Sequence, residues 1–244
     1  MNGHRTVVTR LLPLLAALVL GCDFPGRPNS ADEPVPANKV LKFDALYAIR
    51  CAGCHGADGK LGPAPPLNDP LFLALVPDTE LLHVIAEGRT VSAAQKSPMP
   101  AFAESRGGPL TDAQVKVLAE GIKTRWGPPA SPAEPPPYIG SVATGSGNKE
   151  VFARACAGCH GKDGEGIERD GKLHRKIHDP AFLALVSDQE LRRYVITGRP
   201  DLGMPAYDGK AGRPPDFRAL TSPEIDGLAA LLGSWRQGGT ANDK

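Results

Sequence analysis

The pentapeptide Cys-Ala-Gly-Cys-His occurs twice in this chain of 244 residues, at positions 51–55 and 156–160. Each copy places a histidine directly after the second of two cysteines that are separated by two residues. This spacing lets two thiols add to the vinyl groups of a haem while the histidine reaches the iron from one side. We therefore predict two covalently bound haem c groups, attached by Cys51, Cys54 and His55 and by Cys156, Cys159 and His160.

A Cys-x-x-Cys pair has two other common uses, as a redox-active dithiol or as half of a zinc site. A dithiol site needs no following histidine and is expected near a βαβ pattern, which the sequence lacks. A single zinc shared by both pairs would leave His55 and His160 without a role, although they repeat in register. Haem is the interpretation that uses every repeated residue.

The motif belongs to a longer internal duplication. The matching stretches are 68–89 with 178–199, 99–102 with 204–207, and 110–122 with 220–232. Such a repeat predicts two homologous domains, separated by a stretch rich in proline and small residues. We place the boundaries at 40–126 for the first domain, 127–145 for the linker, 146–237 for the second domain and 238–244 for a C-terminal tail.

Met99 and Met204 lie at matching places in the duplication, each within Met-Pro-Ala-aromatic, and the only other methionine is Met1. A methionine before a proline is ordinarily a core residue. Because each copy follows a haem motif, we predict that Met99 and Met204 are the sixth iron ligands. A thioether opposite a histidine favours ferrous iron and suits electron transfer.

The other histidines are weaker candidates for ligands. His83 aligns with Arg193 on what we expect to be the outer side of a helix. No histidine of the first half corresponds to His174 or His178; they are alternative ligands in the second half, although surface positions fit them better.

Helical patterns dominate both halves, so we predict an all-α fold of two helical domains, each around one haem. Apolar residues at helical spacing precede each motif, and a second helix begins near Asp78 or Asp188. Ser187 and Glu190 have the spacing of a capping box. Thr111 with Gln114, and Thr221 with Glu224, have the same spacing before a third helix.

The N-terminus has the pattern of an export signal. Basic residues precede an apolar run that is too short to span a bilayer comfortably. Its end, Val19-Leu20-Gly21-Cys22, resembles the bacterial lipobox, which implies a signal peptide over 1–21 and a lipidated Cys22. Residues 22–39 are rich in proline and polar residues and are predicted to be a flexible tether.

Each half resembles a class I cytochrome c domain, and the whole chain resembles a tethered dihaem cytochrome c. The family's aromatic residue before the haem motif matches Tyr47 and Phe152, which the resemblance places between the N-terminal and C-terminal helices. A proline carbonyl that accepts a hydrogen bond from the ligand histidine is implied for Pro63 or Pro66. The second half departs from this pattern, since it has no proline before Pro180.

In place of those prolines the second half carries a basic segment that contains Lys172, Arg175 and Lys176. We expect the second haem to lie in a wetter, more charged setting than the first and to differ from it in potential. The basic segment is either a docking surface for an acidic partner or haem propionate, or a solvated loop.

Composition limits the function further. The formal net charge is +1 and basic residues form no long run, so nucleic acid is not an expected partner. We expect a lipid-anchored electron carrier on the periplasmic side of a bacterial membrane, acting with membrane-bound or periplasmic redox proteins and not on a small-molecule substrate. One alternative is a dihaem enzyme such as a peroxidase, although that needs an open iron site. Another is a fixed subunit of a larger respiratory or photosynthetic complex.

Overall fold

The computed structural model describes residues 33–62, 64–89, 99–128, 134–140, 148–173 and 176–236. The chain forms two compact units, Met1–Lys39 and Val40–Lys244. The described part of the first unit contains one 3-10 helix, Ala37–Lys39. Within the described residues, no helix combines the length and the apolar character that crossing a membrane requires. Cys22 and the predicted signal peptide lie outside the described residues.

The second unit contains two successive sets of helices. The first set is α1 (Phe43–Arg50), α2 (Ala52–His55), α3 (Pro70–Leu75), α4 (Asp78–Glu87) and α5 (Asp112–Trp126). The second set is α6 (Lys149–Ala155), α7 (Ala157–His160), α8 (Pro180–Leu185), α9 (Asp188–Thr197) and α10 (Ser222–Ser234). A 3-10 helix precedes the last helix of each set, at Glu104–Arg106 and Pro200–Leu202. The predicted all-α fold is confirmed.

A short hairpin interrupts the second set, where we predicted no strand. β1 (Glu168–Arg169) pairs antiparallel with β2 (Lys172–Leu173). Asp170 and Gly171 connect them with φ angles of 52° and 70°. Positive φ at both central residues is typical of a tight hairpin turn, and Asp-Gly favours it. The local sequence therefore did carry the signal for this hairpin.

The helix starts agree with the predicted caps, with one exception. The Thr111 hydroxyl accepts from the Gln114 N–H at 3.3 Å, and the Gln114 side chain accepts from the Thr111 N–H at 3.1 Å. At α9 the Ser187 hydroxyl accepts from the Glu190 N–H at 3.0 Å. The Glu190 carboxylate, however, faces Arg89 and Arg193 at 3.6 Å. The predicted capping box is therefore only half formed there.

Each set has its own hydrophobic cluster, and Leu118 and Leu228 occupy matching, fully buried positions in the two clusters. An aromatic pair ties the N-terminal and C-terminal helices together in each set. Tyr47 meets Trp126 edge to face at 5.1 Å between ring centroids, and Phe152 meets Trp235 at 5.3 Å. These pairs confirm the role that the family resemblance implied for Tyr47 and Phe152.

The linker contributes to the packing through Tyr138. Its ring is buried in the first cluster, 5.8 Å from the Phe72 ring between centroids. Its carbonyl accepts hydrogen bonds from Gln189 at 2.8 Å and from Arg192 at 3.2 Å, both on α9. Tyr138 therefore attaches the linker to both helical sets.

Candidate functional site

Single helical turns hold the two cysteine motifs. Cys51 lies directly before α2 and Cys156 directly before α7. The N–H of His55 donates to the carbonyl of Cys51 at 2.9 Å, and that of His160 to Cys156 at 3.0 Å. Residues three and four apart on a helical turn share a face. Each turn therefore directs two thiols and an imidazole to the same side.

The first thiol of each motif lacks the acidity of a redox-active dithiol. The four motif cysteines form no disulfide bond. Burial raises the pKa of Cys51 and of Cys156 to about 11. A redox-active dithiol instead has a lowered thiol pKa, because the thiolate is the reacting form. This difference argues against the dithiol alternative at both motifs.

The second motif opens into an apolar cavity of about 560 Å³. Cys156, Cys159 and His160 line it together with Met204. Most of the remaining lining is aliphatic or aromatic, including Phe152, Leu183, Leu191, Val195, Leu228 and Leu232. A large apolar cavity with a few convergent polar groups is the usual form of a cofactor site. Two thiols can attach a haem c covalently, and an imidazole with a thioether is the ligand pair of cytochromes c.

In the first motif, a hydrogen bond to a backbone carbonyl orients the predicted ligand histidine. Nδ1 of His55 lies 3.0 Å from the carbonyl oxygen of Pro65. Because a carbonyl only accepts, Nδ1 carries the proton and Nε2 keeps its lone pair for a metal. Burial lowers the pKa of His55 and outweighs the opposing effect of the hydrogen bond to Pro65. The imidazole is thus held in the neutral form that binds iron.

The identity of that carbonyl corrects a prediction. His55 donates its hydrogen bond to the carbonyl of Pro65, whereas we expected the carbonyl of Pro63 or Pro66 to accept it. Pro63 lies outside the described residues, and the carbonyl of Pro66 accepts from Arg193 instead. The resemblance indicated a proline in this loop, but the path of the loop decides which carbonyl faces the histidine.

The two methionine segments are held in the same way. The Arg89 N–H donates to the Met99 carbonyl at 3.1 Å, and the Arg199 N–H to the Met204 carbonyl at 3.0 Å. Met99 packs, with Cys51, against the first hydrophobic cluster, and Met204 lines the second cavity. The part of the chain before Met99, residues 90–98, lies outside the described residues.

A glycine makes each methionine segment fit, and sequence reasoning missed both. Gly88 and Gly198 end α4 and α9 with φ angles of +69° and +68°. A Cβ on Gly198 would lie 2.5 Å from the Met204 carbonyl oxygen, and one on Gly88 would lie 2.7 Å from that of Met99. Both the close approach and the positive φ therefore favour glycine. The signal was the Gly-Arg pair at the end of each matching stretch.

The predicted alternatives to these ligands have other contacts or lie outside the described residues. His178 stacks on Trp235 at 4.6 Å between ring centroids, and its Nδ1 lies 2.9 Å from the Asp163 carbonyl oxygen. His83 is exposed on α4, as predicted. His174 and Arg175 are not among the described residues. Lys176 of the basic segment lines the second cavity.

Comparison with known proteins adds a family. The family model for cytochrome c oxidase, cbb3-type, subunit III matches residues 38–120 and 143–230. Among curated relatives, the cbb3-type cytochrome c oxidase subunit FixP of Sinorhizobium medicae is 30% identical over 195 residues, which cover 76% of this chain and 62% of the relative. Subunit FixP of Rhizobium etli is 29% identical over 192 residues, which cover 74% of this chain and 60% of the relative.

Subunit CcoP of Rubrivivax gelatinosus is 28% identical over 198 residues, covering 81% of this chain and 55% of the relative. The chain therefore spans between about half and three-fifths of the length of these relatives. The predicted resemblance to c-type cytochromes is confirmed, and this family implies haem c bound covalently through its cysteine motifs. Since the family model matches each half of the duplication and more than half of the chain, the protein belongs to the cytochrome c oxidase, cbb3-type, subunit III family.

Proposed function

We propose that the protein is a dihaem cytochrome c that passes single electrons between two haem irons and outside redox partners. The observation that carries this proposal is the second cavity, where Cys156, Cys159, His160 and Met204 line one apolar volume. The first half supports a second haem, because it repeats the same residue types and holds its methionine segment in the same way. In this role the chain is an electron-transfer component and transforms no small-molecule substrate itself.

Each group of side chains has a separate task in this proposal. A bound haem supplies a one-electron change between ferric and ferrous iron. The two thiols of each motif would anchor the haem, and His55 and His160 would offer a ring nitrogen to its iron. Met99 and Met204 would offer a thioether to the iron, a ligand that favours the ferrous state. The aliphatic lining of the second cavity excludes water.

The partners are proposed from the relatives. Because those relatives are named as subunits of cbb3-type cytochrome c oxidases, we infer that this chain delivers electrons to, or within, a membrane-bound oxidase. A lipid anchor at Cys22 would hold it at the outer face of a bacterial membrane, in the periplasm or at the cell exterior. Residues 22–39 would then act as the tether between that anchor and the helical sets.

The test is a haem count on the protein made in a host that matures c-type cytochromes. We expect two haems per chain by pyridine haemochrome assay and mass spectrometry. Replacing Cys51 and Cys54 with serine should leave one covalent haem, and so should the matched change of Cys156 and Cys159. A wild-type count below two would contradict the proposal.

A haem-stained native gel of gently solubilised membranes then tests the partner. Migration of the protein within an oxidase band would identify it as a subunit of that complex, whereas migration alone would favour a tethered carrier. Haem-dependent peroxide turnover by the purified protein would instead favour the peroxidase-like alternative.

A further inference from the structure

Arg193 on α9 of the second set is held by groups of the first set. It is 5% exposed, which is low for a charged residue. Its guanidinium carbon lies 3.6 Å from the centre of the Phe72 ring, and Nη2 donates to the Pro66 carbonyl. A planar guanidinium can stack on a ring while its edge donates hydrogen bonds. One side chain is therefore fixed at two points of the first set.

The second of those points adjoins the first motif. Pro66 follows Pro65, whose carbonyl accepts from His55. The ring of each proline fixes φ, so consecutive prolines form a stiff segment. With φ fixed at both residues, only their ψ angles can absorb a shift of the Pro66 carbonyl, so part of such a shift is passed to the Pro65 carbonyl. Arg193 and His55 lie at opposite ends of this stiff segment.

Buried charges surround the same contact. Glu190 is 6% exposed, and its two carboxylate oxygens each lie 3.6 Å from a guanidinium, one from that of Arg193 and one from that of Arg89. Oε1 of Glu190 accepts no hydrogen bond from the described part of the chain. The cluster of Arg89, Glu190 and Arg193 thus sets two positive groups against one negative group close to the first motif.

The residue after Arg193 faces the other site. Tyr194 lines the second cavity together with His160 and Met204. Two adjacent positions of α9 therefore contact the loop of the first motif and the cavity of the second. A helix of this kind is a rigid physical connection between two sites.

We propose that Arg193 is a positioning residue for the first haem site. By holding Pro66, it fixes the Pro65 carbonyl that orients His55, so the second helical set controls the redox properties of the first. This inference rests on the proposed function, because it requires a haem at each motif.

The position and the charge of Arg193 have separable effects. A looser hydrogen bond from Nδ1 makes the histidine a less basic ligand, which favours ferrous iron and raises the potential of the first haem. Loss of a nearby positive charge favours ferric iron and lowers that potential. Arg193→Lys keeps the charge but loses the planar stack, whereas Arg193→Gln loses both.

The experiment measures both haem potentials by redox titration of the intact dihaem protein, with Met204→His used to assign the second. Hydrogen exchange of the His55 Nδ1–H is followed by NMR on the same samples. We expect Arg193→Lys to raise the first potential and to speed this exchange several-fold. Arg193→Gln should give a first potential below that of Arg193→Lys, and neither variant should move the second.

The matched control is Arg192→Lys, the same substitution at the neighbouring buried arginine. Arg192 bonds to Asp226 and to linker carbonyls, not to Pro66. Arg192→Lys should leave the potential of the first haem and the hydrogen exchange of the His55 Nδ1–H unchanged. The positioning role is overturned if Arg193→Lys leaves both readouts at wild-type values, or if Arg192→Lys moves them as far.

A haem count on every variant separates two kinds of failure. A wild-type count below two contradicts the proposed function and the positioning role with it. A count of two with an unmoved first potential and unmoved exchange contradicts the positioning role alone. If Arg193→Gln does not fold, Arg193→Lys decides the question by itself, since it keeps the buried charge.

Discussion

Helices α4 and α9 occupy matching places in the duplication but meet different surroundings. In α4 only Leu81 and Ile85 are fully buried. In α9 seven residues are buried, and three of them are the charged residues Glu190, Arg192 and Arg193. The added burial arises because the first set and the linker cover the outer face of α9. One helix pattern therefore serves as a surface in one half and as an interface in the other.

This difference shows how a duplicated domain acquires a specific neighbour. The inner face, which packs on each set's own core, is kept in both copies. Beside that face, Leu82, which is half-buried against the first cluster, and His83, which is exposed, correspond to Arg192 and Arg193. Arginine suits a buried polar interface because its fork can bond several carbonyls while its flat face stacks on a ring.

The largest expected effect comes from Arg192, which has replaced Leu82. Arg192→Ala leaves the Asp226 carboxylate without its buried partner and frees the Pro137 and Tyr138 carbonyls. Breaking a buried pair in this way costs about 3–5 kcal/mol. We expect the free energy of unfolding of the second set to fall by this amount. Denaturant unfolding followed by the fluorescence of Trp235, in a Trp126→Phe background, measures it. Leu82→Ala should cost the first set less than half as much; equal losses would remove the contrast between the helices.

The two cores should respond alike, which sharpens the contrast at the outer faces. Leu118 and Leu228 are both 0% exposed and match in the duplication. Leu→Ala at either site should destabilise its own set by about 2–5 kcal/mol, through lost burial and a cavity. Denaturant unfolding with one tryptophan per set measures this. If the destabilisation by Leu118→Ala and that by Leu228→Ala differ by more than the free energy lost in Arg192→Ala, the inner faces have diverged as well.

A smaller contrast lies at the caps of the last helices, where Gln114 matches Glu224. Burial by itself raises the pKa of Glu224. Hydrogen bonds from Arg218, Thr221 and Arg154 outweigh burial and lower the pKa from 4.5 to about 2. A lowered folded-state pKa stabilises the protein above the unfolded value, and this contribution disappears as the pH falls from about 4.5 to about 2. Glu224→Gln should therefore destabilise the second set near neutral pH and match wild type near pH 2. If the difference in free energy of unfolding between wild type and Glu224→Gln does not change with pH, the lowered pKa of Glu224 is contradicted.

The smallest effect is expected at His83, the exposed counterpart of Arg193. His83→Gln should change the free energy of unfolding by less than about 0.5 kcal/mol, because exposed positions without special contacts tolerate substitution. Both haem potentials should also stay at wild-type values in a redox titration. A shift of either potential would mean that the outer face of α4 also influences a haem site.

The sequence predicted features that depend on neighbours along the chain. The helical turns of the two motifs and the start of α5 at Thr111 follow from local spacing, whereas the pairing of Tyr47 with the C-terminal helix was implied by the family resemblance. The hairpin at Asp170-Gly171 also had a local signal, which we did not use. The matching Gly-Arg pairs likewise marked the methionine segments in advance.

Features that depend on packing between the halves were not predictable in the same way. We expected the position shared by His83 and Arg193 to face solvent, which is correct only for His83. The helix pattern gives the inner face, but it does not say whether another set covers the outer one. The choice of Pro65 over Pro66 was not predictable either, because the path of the loop decides which carbonyl faces His55, while Arg193 from the other half bonds to the Pro66 carbonyl.

The burial of Tyr138 has a consequence for kinetics. Two modules joined by a loose chain exchange electrons at a rate that depends on how often they collide, and so on linker length and solvent viscosity. Here the linker is pinned at Tyr138, with its ring in one core and its carbonyl bonded to α9 of the other half. If each half holds a haem as proposed, electron exchange between the halves would be a step over a fixed distance, and added glycerol should leave its rate unchanged.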